Sequence, residues 1–129
     1  MDEPDADVVD LATRLFGLAR DGATTRLAAY VDAGVAPDLA NQSGDSLVML
    51  AAYHGHADTV QALLERGGDP NRANDRGQTP LAGAVFKGEM DVIRALVAAR
   101  ADPNAGHPSA LATAVMFGRH DIVQLLGTA

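Results

Sequence analysis

Apolar residues recur along this chain in short segments that polar residues and glycines separate. Leu63 and Leu64 follow Val60 by three and four residues, which is the spacing of one face of a helix. A shorter apolar segment precedes them, and Gly55 lies between the two segments. Glycine readily adopts the left-handed conformation in which many helices end. The pattern therefore predicts pairs of short helices, each pair joined by a tight turn.

The whole pattern repeats along the chain with a period of 33. The segment NQSGDSLVMLAAYHGHADTVQALLERGGDPN begins at Asn41, and NDRGQTPLAGAVFKGEMDVIRALVAARADPN begins at Asn74. The two align without a gap. A weaker copy lies upstream, around Gly22 and Gly34, and another lies downstream at a spacing of 30, because the connection before it is three residues shorter. Four such units predict a solenoid in which each repeat buries its apolar face against its neighbours.

Polar residues and glycines mark the predicted helix ends. A Ser or Thr that suits the N-cap precedes the first helix in three repeats: Ser46, Thr79 and Ser109. An Asp, which the helix dipole favours, lies in the first turn of the second helix: Asp58, Asp91 and Asp121. Pro80 stands at a first helical position, where its missing N–H costs nothing. Gly67 closes one second helix, and Arg100 takes its place in the next repeat, where we expect a small conformational cost.

Each unit consists of a helix, a tight turn, a second helix and a polar connection to the next unit, whose tip we call the finger. This order, repeated with a period of 33 residues, resembles the ankyrin repeat. The resemblance rests on GQTPLAGAVFKGEMDVIRALVAARADPN and AAYHGHADTVQALLERGGDPN, and it extends from about Leu11 to Leu126. The Thr-Pro-Leu box of the family is complete only at residues 79–81. The resemblance implies an all-α ankyrin-repeat solenoid, small and free-standing, of about four helix-turn-helix units. The expected units are an N-terminal cap repeat with an acidic tail over 1–40, repeats over 41–73 and 74–106, and a C-terminal cap repeat over 107–129.

The segment HGHAD, residues 54–58, is the part of the chain that most suggests chemistry. A metal-dependent enzyme that uses His54, His56 and Asp58 is one hypothesis. Only the Asp recurs in the aligned segments KGEMD and FGRHD, however, and no cysteine is present to complete a structural zinc site. His56 resembles the common Gly-His of ankyrin repeats, whose ring helps to satisfy backbone groups of neighbouring turns. We therefore predict no metal, no cofactor and no catalytic residue.

Composition and charge narrow the classes of partner. The net charge is −7 and no basic patch is visible, which disfavours nucleic acid and anionic lipid as partners. No apolar run is long enough to span a membrane. The absence of cysteine fits a reducing compartment. We expect a cytoplasmic, monomeric protein, and the abundance of Ala, Arg, Asp and Gly resembles the composition of high-GC bacteria.

In ankyrin proteins the first helices and the polar fingers form a concave face, which we call the inner face. The resemblance implies that this face binds another protein. The matching finger-tip positions are Gln42, Ser43, Asp45, Asp75, Arg76 and Gln78. The matching positions at the ends of the first helices are Tyr53, His54, Phe86, Lys87, Met116 and Phe117.

Three of the five aromatic residues lie at the ends of successive first helices: Tyr53, Phe86 and Phe117. Aromatic residues and Met are enriched in the cores of interfaces. These rings either bind a partner or seal the stack of repeats, and both interpretations stay open at this point. We predict a non-catalytic protein-interaction module, an adaptor or a regulator. A self-associating structural protein is a further alternative.

Overall fold

The computed structural model describes residues 6–127; the first five residues of the predicted acidic tail and the last two residues of the chain lie outside this range. The described residues form eight α-helices: α1 (Ala6–Asp21), α2 (Thr24–Asp32), α3 (Leu47–Tyr53), α4 (Ala57–Glu65), α5 (Pro80–Lys87), α6 (Met90–Ala98), α7 (Ala110–Met116) and α8 (His120–Gly127). Between residues 6 and 127 there is no β-strand, and pairing is limited to isolated bridges. The predicted all-α fold is confirmed.

The helices pack in two layers. In the first layer α1 packs against α3, α3 against α5, and α5 against α7. In the second layer α2 packs against α4, and α4 against α6. Each second helix also packs against the first helix of its own pair. The predicted solenoid of four helix pairs is therefore confirmed.

The N-caps lie where the sequence predicts them. The Ser46 hydroxyl accepts a hydrogen bond from the Met49 amide at 3.0 Å, and the Thr79 hydroxyl accepts one from the Ala82 amide at 3.2 Å. Ser109 caps α7 in the same way. These bonds satisfy amides that have no partner inside the helix, and so they set where each first helix begins.

Left-handed backbone conformations end the helices at the predicted places. Gly55 and Gly88 join first to second helices with φ values of 80° and 71°. Arg100, where the equivalent residue of the preceding repeat is Gly67, has a φ of 63°. A non-glycine residue in this region carries a conformational cost, as the sequence predicts.

Small side chains let the first helices approach one another. Ala51, Ala84 and Ala114 occupy equivalent positions in α3, α5 and α7, and all three are completely buried. Large aliphatic side chains fill the space between the two helix layers: Leu47, Val60, Leu63, Leu81, Val92, Ile93, Leu96 and Ile122. The alanine-rich composition is therefore explained by close packing of short helices.

The finger edge of the solenoid links neighbouring repeats through the backbone. The Asp75 amide donates to the Ser43 carbonyl at 3.1 Å, and the His107 amide donates to the Gly77 carbonyl at 2.9 Å. Each bond joins a finger to the next, so the position of a finger depends on its neighbour.

The opposite edge is linked through side-chain oxygens. Asp38 Oδ1 accepts from the Asp69 amide at 2.7 Å, and Asn71 Oδ1 accepts from the Asp102 amide at 2.6 Å. Asp69 and Asn71 belong to an Asp-Pro-Asn turn, in which Asp69 Oδ1 accepts from the Asn71 amide at 2.8 Å. The asparagine of this turn also reaches the following repeat.

The first repeat differs from the others. Thr13 aligns with Ser46 at the repeat spacing, but it lies inside α1 and its hydroxyl donates to the Val9 carbonyl at 3.0 Å. The predicted repeat boundaries fall in the loops between helix pairs, and their positions within those loops stay a prediction. Among the described helices, none combines the length and the apolar character that crossing a membrane requires.

Candidate functional site

A row of side chains runs along the inner face at the ends of the first helices. Arg20, Tyr53 and Phe86 follow one another at the repeat spacing of 33, and Met116 follows Phe86 at the shorter spacing of 30. The exposed fractions are 38% for Tyr53, 60% for Phe86 and 67% for Met116. Arg20 is also exposed, and it was missing from the predicted set although the repeat spacing could have identified it.

Ring contacts connect members of this row. The Phe86 and Phe117 ring centroids lie 5.7 Å apart with the planes tilted by 48°. The Lys87 Nζ atom lies 4.9 Å from the centroid of the Tyr53 ring. His54 meets the Tyr53 ring edge-on, with the centroids 5.7 Å apart. Side chains from successive repeats therefore form one continuous surface.

Asparagines shape the finger tips. Asn41 Oδ1 accepts hydrogen bonds from the Ser43 and Asp45 amides, each at 3.0 Å. Asn74 Oδ1 makes the same pair of bonds in the next finger, to the Arg76 and Gln78 amides. Each finger tip therefore has a defined backbone conformation. A surface held in this way loses less conformational freedom on binding than a mobile loop.

Two of the predicted finger residues already have partners within the protein. The Asn74 side-chain amide donates to Asp45 Oδ1 at 2.8 Å and to Gln78 Oε1 at 2.9 Å. Asp45 is also half-buried. These two side chains support the finger architecture, and their role as contact residues stays a prediction.

A cleft of about 360 Å³, the first cleft, lies between the first two fingers and the end of α3. It brings together six of the predicted residues: Ser43, Asp45, Tyr53, His54, Arg76 and Gln78. Arg20 enters the same cleft from α1. The cleft thus combines an aromatic ring with two guanidinium groups.

A second cleft of about 230 Å³ lies between α3 and α5 and shares Tyr53 with the first. Met49, Gly83 and Phe86 line it. Gly83 lies inside α5, where a Cβ atom would come within 3.2 Å of Met49 Cε. The missing side chain therefore allows Met49 and Tyr53 to pack closely against α5 at this position.

The remaining predicted residues lie outside these two clefts. Gln42 lines a separate groove beside α1. Asp75 packs against Gly44 of the preceding finger. Met116 and Phe117 extend the exposed row to the end of α7. The predicted set therefore falls into a central group around the clefts and a group at the periphery.

The HGHAD side chains do not converge on one point. His56 Nε2 lies 2.6 Å from the Arg20 carbonyl oxygen, and because a carbonyl only accepts, Nε2 carries the proton. His54 instead contacts Tyr53, and Asp58 lies exposed in the first turn of α4. The prediction that the His56 ring satisfies a backbone group of a neighbouring turn is confirmed. Within residues 6–127, no group of three or more His, Asp or Glu side chains is placed to hold a metal ion.

The equivalent turn in the last repeat carries an ion pair. Arg119 Nη2 donates to Asp121 Oδ2 at 3.0 Å, and Nε donates to Oδ1 at 3.1 Å. These hydrogen bonds hold the pKa of Asp121 below its usual range and raise the pKa of Arg119. The pair lies at the start of α8, away from both clefts, so it belongs to the turn and not to the inner face.

A family model described as ankyrin repeats (3 copies) matches residues 15–107 and, in a second overlapping match, residues 48–128. This chain belongs to the ankyrin repeat family. A protein of Pseudomonas aeruginosa that is named as an ankyrin repeat protein is 49% identical over 59 residues. That match covers 46% of this chain and 34% of the relative, so the matched part is about a third of the relative's length.

Membership of this family carries a general expectation about the inner face. Ankyrin repeats are generally protein-interaction modules, and the family is typically non-enzymatic. Fold alone does not specify a partner, because binding depends on the side chains that each member displays.

Proposed function

We propose that this ankyrin repeat protein is a non-catalytic adaptor or regulator that binds a partner protein on its inner face and finger tips. The row of large exposed apolar side chains supports this proposal: Tyr53, Phe86, Met116 and Phe117. Apolar side chains of this size that are exposed next to one another are typical of interaction sites, whereas single exposed apolar residues are ordinary.

The finger geometry supports the same proposal. Asn41 and Asn74 hold the two finger tips through paired hydrogen bonds to backbone amides. A cytoplasmic location is part of the proposal, since the sequence has no cysteine.

The double variant Tyr53→Ala/Phe86→Ala tests the proposal. We expect it to lose partner capture while its unfolding free energy falls by no more than about 1 kcal/mol, because both rings are exposed. The tagged protein would be used to purify partners from a lysate of the source organism, and each candidate would then be titrated with the pure protein by calorimetry.

Two further variants make the result interpretable. Val115→Ala removes another exposed apolar side chain outside both clefts, and we expect it to retain capture. Leu81→Ala, in the core, should lower stability by about 2–5 kcal/mol. If the double variant unfolded as easily as Leu81→Ala, the rings would be sealing the stack. Unchanged capture by a stable double variant would place binding elsewhere.

A further inference from the structure

The basic residues around Tyr53 are unusual in a chain whose net charge is −7. Arg20 and Arg76 line the first cleft beside Tyr53, and Lys87 lies over the same ring. Of the chain's ten basic residues, two therefore share a cleft with one aromatic side chain and a third lies over its ring.

The guanidinium groups of Arg20 and Arg76 make no hydrogen bond and no ion pair with any residue between 6 and 127. Among the described residues, three other arginines pair with carboxylates: Arg66 with Asp32, Arg94 with Asp91, and Arg119 with Asp121. Arg14, Arg26 and Arg100 have no carboxylate partner between residues 6 and 127 either. The first cleft is distinguished because two unpaired guanidinium groups line it together, beside an aromatic ring.

One carboxylate faces these arginines. Asp45 also lines the first cleft, and its Oδ1 is engaged by the Asn74 side chain at 2.8 Å. Two guanidinium groups and one carboxylate leave the cleft with a formal charge of +1. Asp75, next to Arg76 in the chain, packs against the neighbouring finger and lines neither cleft.

The second cleft indicates that a bound segment also carries an apolar side chain. It adjoins the first through Met49, Tyr53 and Gln78, and its other walls include Gly83 and Phe86. A volume of about 230 Å³ accommodates a large apolar side chain. Because the clefts share a wall, the apolar and charged groups of an occupant must lie close together in space, and a single short segment can provide both.

We propose that the partner presents an acidic segment to the inner face. An Asp or Glu carboxylate lies between Arg20 and Arg76, and a neighbouring large apolar side chain fills the second cleft between Tyr53 and Phe86. Arginine suits this role because its planar donor pair matches a carboxylate. This inference rests on the proposed function and specifies the chemistry of the protein that would be bound.

A displayed library of short random peptides, selected against the purified full chain, tests this inference. We expect enrichment of sequences that place Asp or Glu within a few residues of a large apolar residue. The best sequence would be synthesised with a fluorescent label, and its Kd measured by anisotropy. Raising the NaCl concentration should weaken the affinity, because salt screens the charge attraction.

Charge reversal assigns the binding to the first cleft. Arg20→Glu/Arg76→Glu should weaken peptide binding by about tenfold or more, since the reversed charges repel the peptide carboxylates. The control variant Arg26→Glu/Arg100→Glu changes the net charge by the same amount at residues that line neither cleft. We expect it to change the peptide Kd by less than about twofold.

Other outcomes separate this inference from the proposed function. The enriched peptides could instead be basic or uncharged and fail to bind the Tyr53→Ala/Phe86→Ala variant. That result would contradict the proposal of an acidic segment but would still support binding at the inner face. Selection that enriches nothing above the uncoated support counts against both. Tight binding of oligouridine that Arg20→Glu/Arg76→Glu removes would identify the cleft as a nucleic-acid site instead. If that variant altered the sedimentation mass, the occupant would be a second copy of the chain.

Discussion

At the scale of the single residue, the side chain that follows a turn glycine packs against the turn glycine of the preceding repeat. His56 follows Gly55, and its ring lies against Gly22 while Nε2 bonds the Arg20 carbonyl. Glu89 occupies the equivalent position one repeat later, and its carboxylate lies over Gly55. Different side chains thus cover the same glycine position, which leaves no room for a Cβ atom there.

Replacement of Gly22 by alanine tests this contact. Gly22 has a φ of 71°, and a Cβ atom would overlap the His56 ring, so we expect Gly22→Ala to lower the unfolding free energy by about 2–4 kcal/mol. Gly118 has a φ of 65° with no atom within 4 Å of such a Cβ, so Gly118→Ala should cost only about 1–2 kcal/mol. Urea unfolding measures both values. If the two variants lost the same unfolding free energy, the His56 ring would move aside without an energetic cost.

At the scale of the element, the Asp-Pro-Asn turns act as connectors between repeats. Asn71 Oδ1 accepts the Asp102 amide of the next repeat at 2.6 Å. Asn104 occupies the same position in the following turn, but its side chain bonds no residue between 6 and 127. The asparagine side chain of the same three-residue motif therefore bonds the next repeat in one place and makes no such bond in the other.

This difference predicts unequal effects of the same substitution. Asn71→Ala removes the bond to the Asp102 amide and should lower the unfolding free energy by about 0.5–1.5 kcal/mol. We expect Asn104→Ala to change it by less than about 0.5 kcal/mol. Chemical denaturation of the two variants in parallel provides the comparison. A larger loss at Asn104 than at Asn71 would contradict the connecting role of the turn.

At the scale of the whole molecule, each helix pair is stabilised mainly by its immediate neighbours. The first helices pack in sequence from α1 to α7, and bonds at both edges connect adjacent repeats. Such stacks gain stability from interfaces between neighbouring units. The inner face spans all four pairs, so it is a surface that no single repeat provides.

The oligomeric state can be tested directly. We expect the protein to sediment as a monomer of 13.3 kDa, because its net charge of −7 opposes self-association. Sedimentation velocity over a range of concentrations measures this mass. A dimer that Tyr53→Ala/Phe86→Ala dissociates would instead support the self-associating structural protein.

The period, the helix ends and the turns could all be predicted from the amino-acid sequence. N-caps such as Ser46 and left-handed positions such as Gly55 depend on local chemistry, which a short segment already contains. Packing of the repeats was needed to show that Arg20 shares a cleft with Arg76 and that His56 bonds the Arg20 carbonyl. These residues lie in different repeats, and their separation depends on how the repeats rotate and pack against one another. Repeat spacing predicts that such residues align, but only the packed stack determines which of their atoms meet.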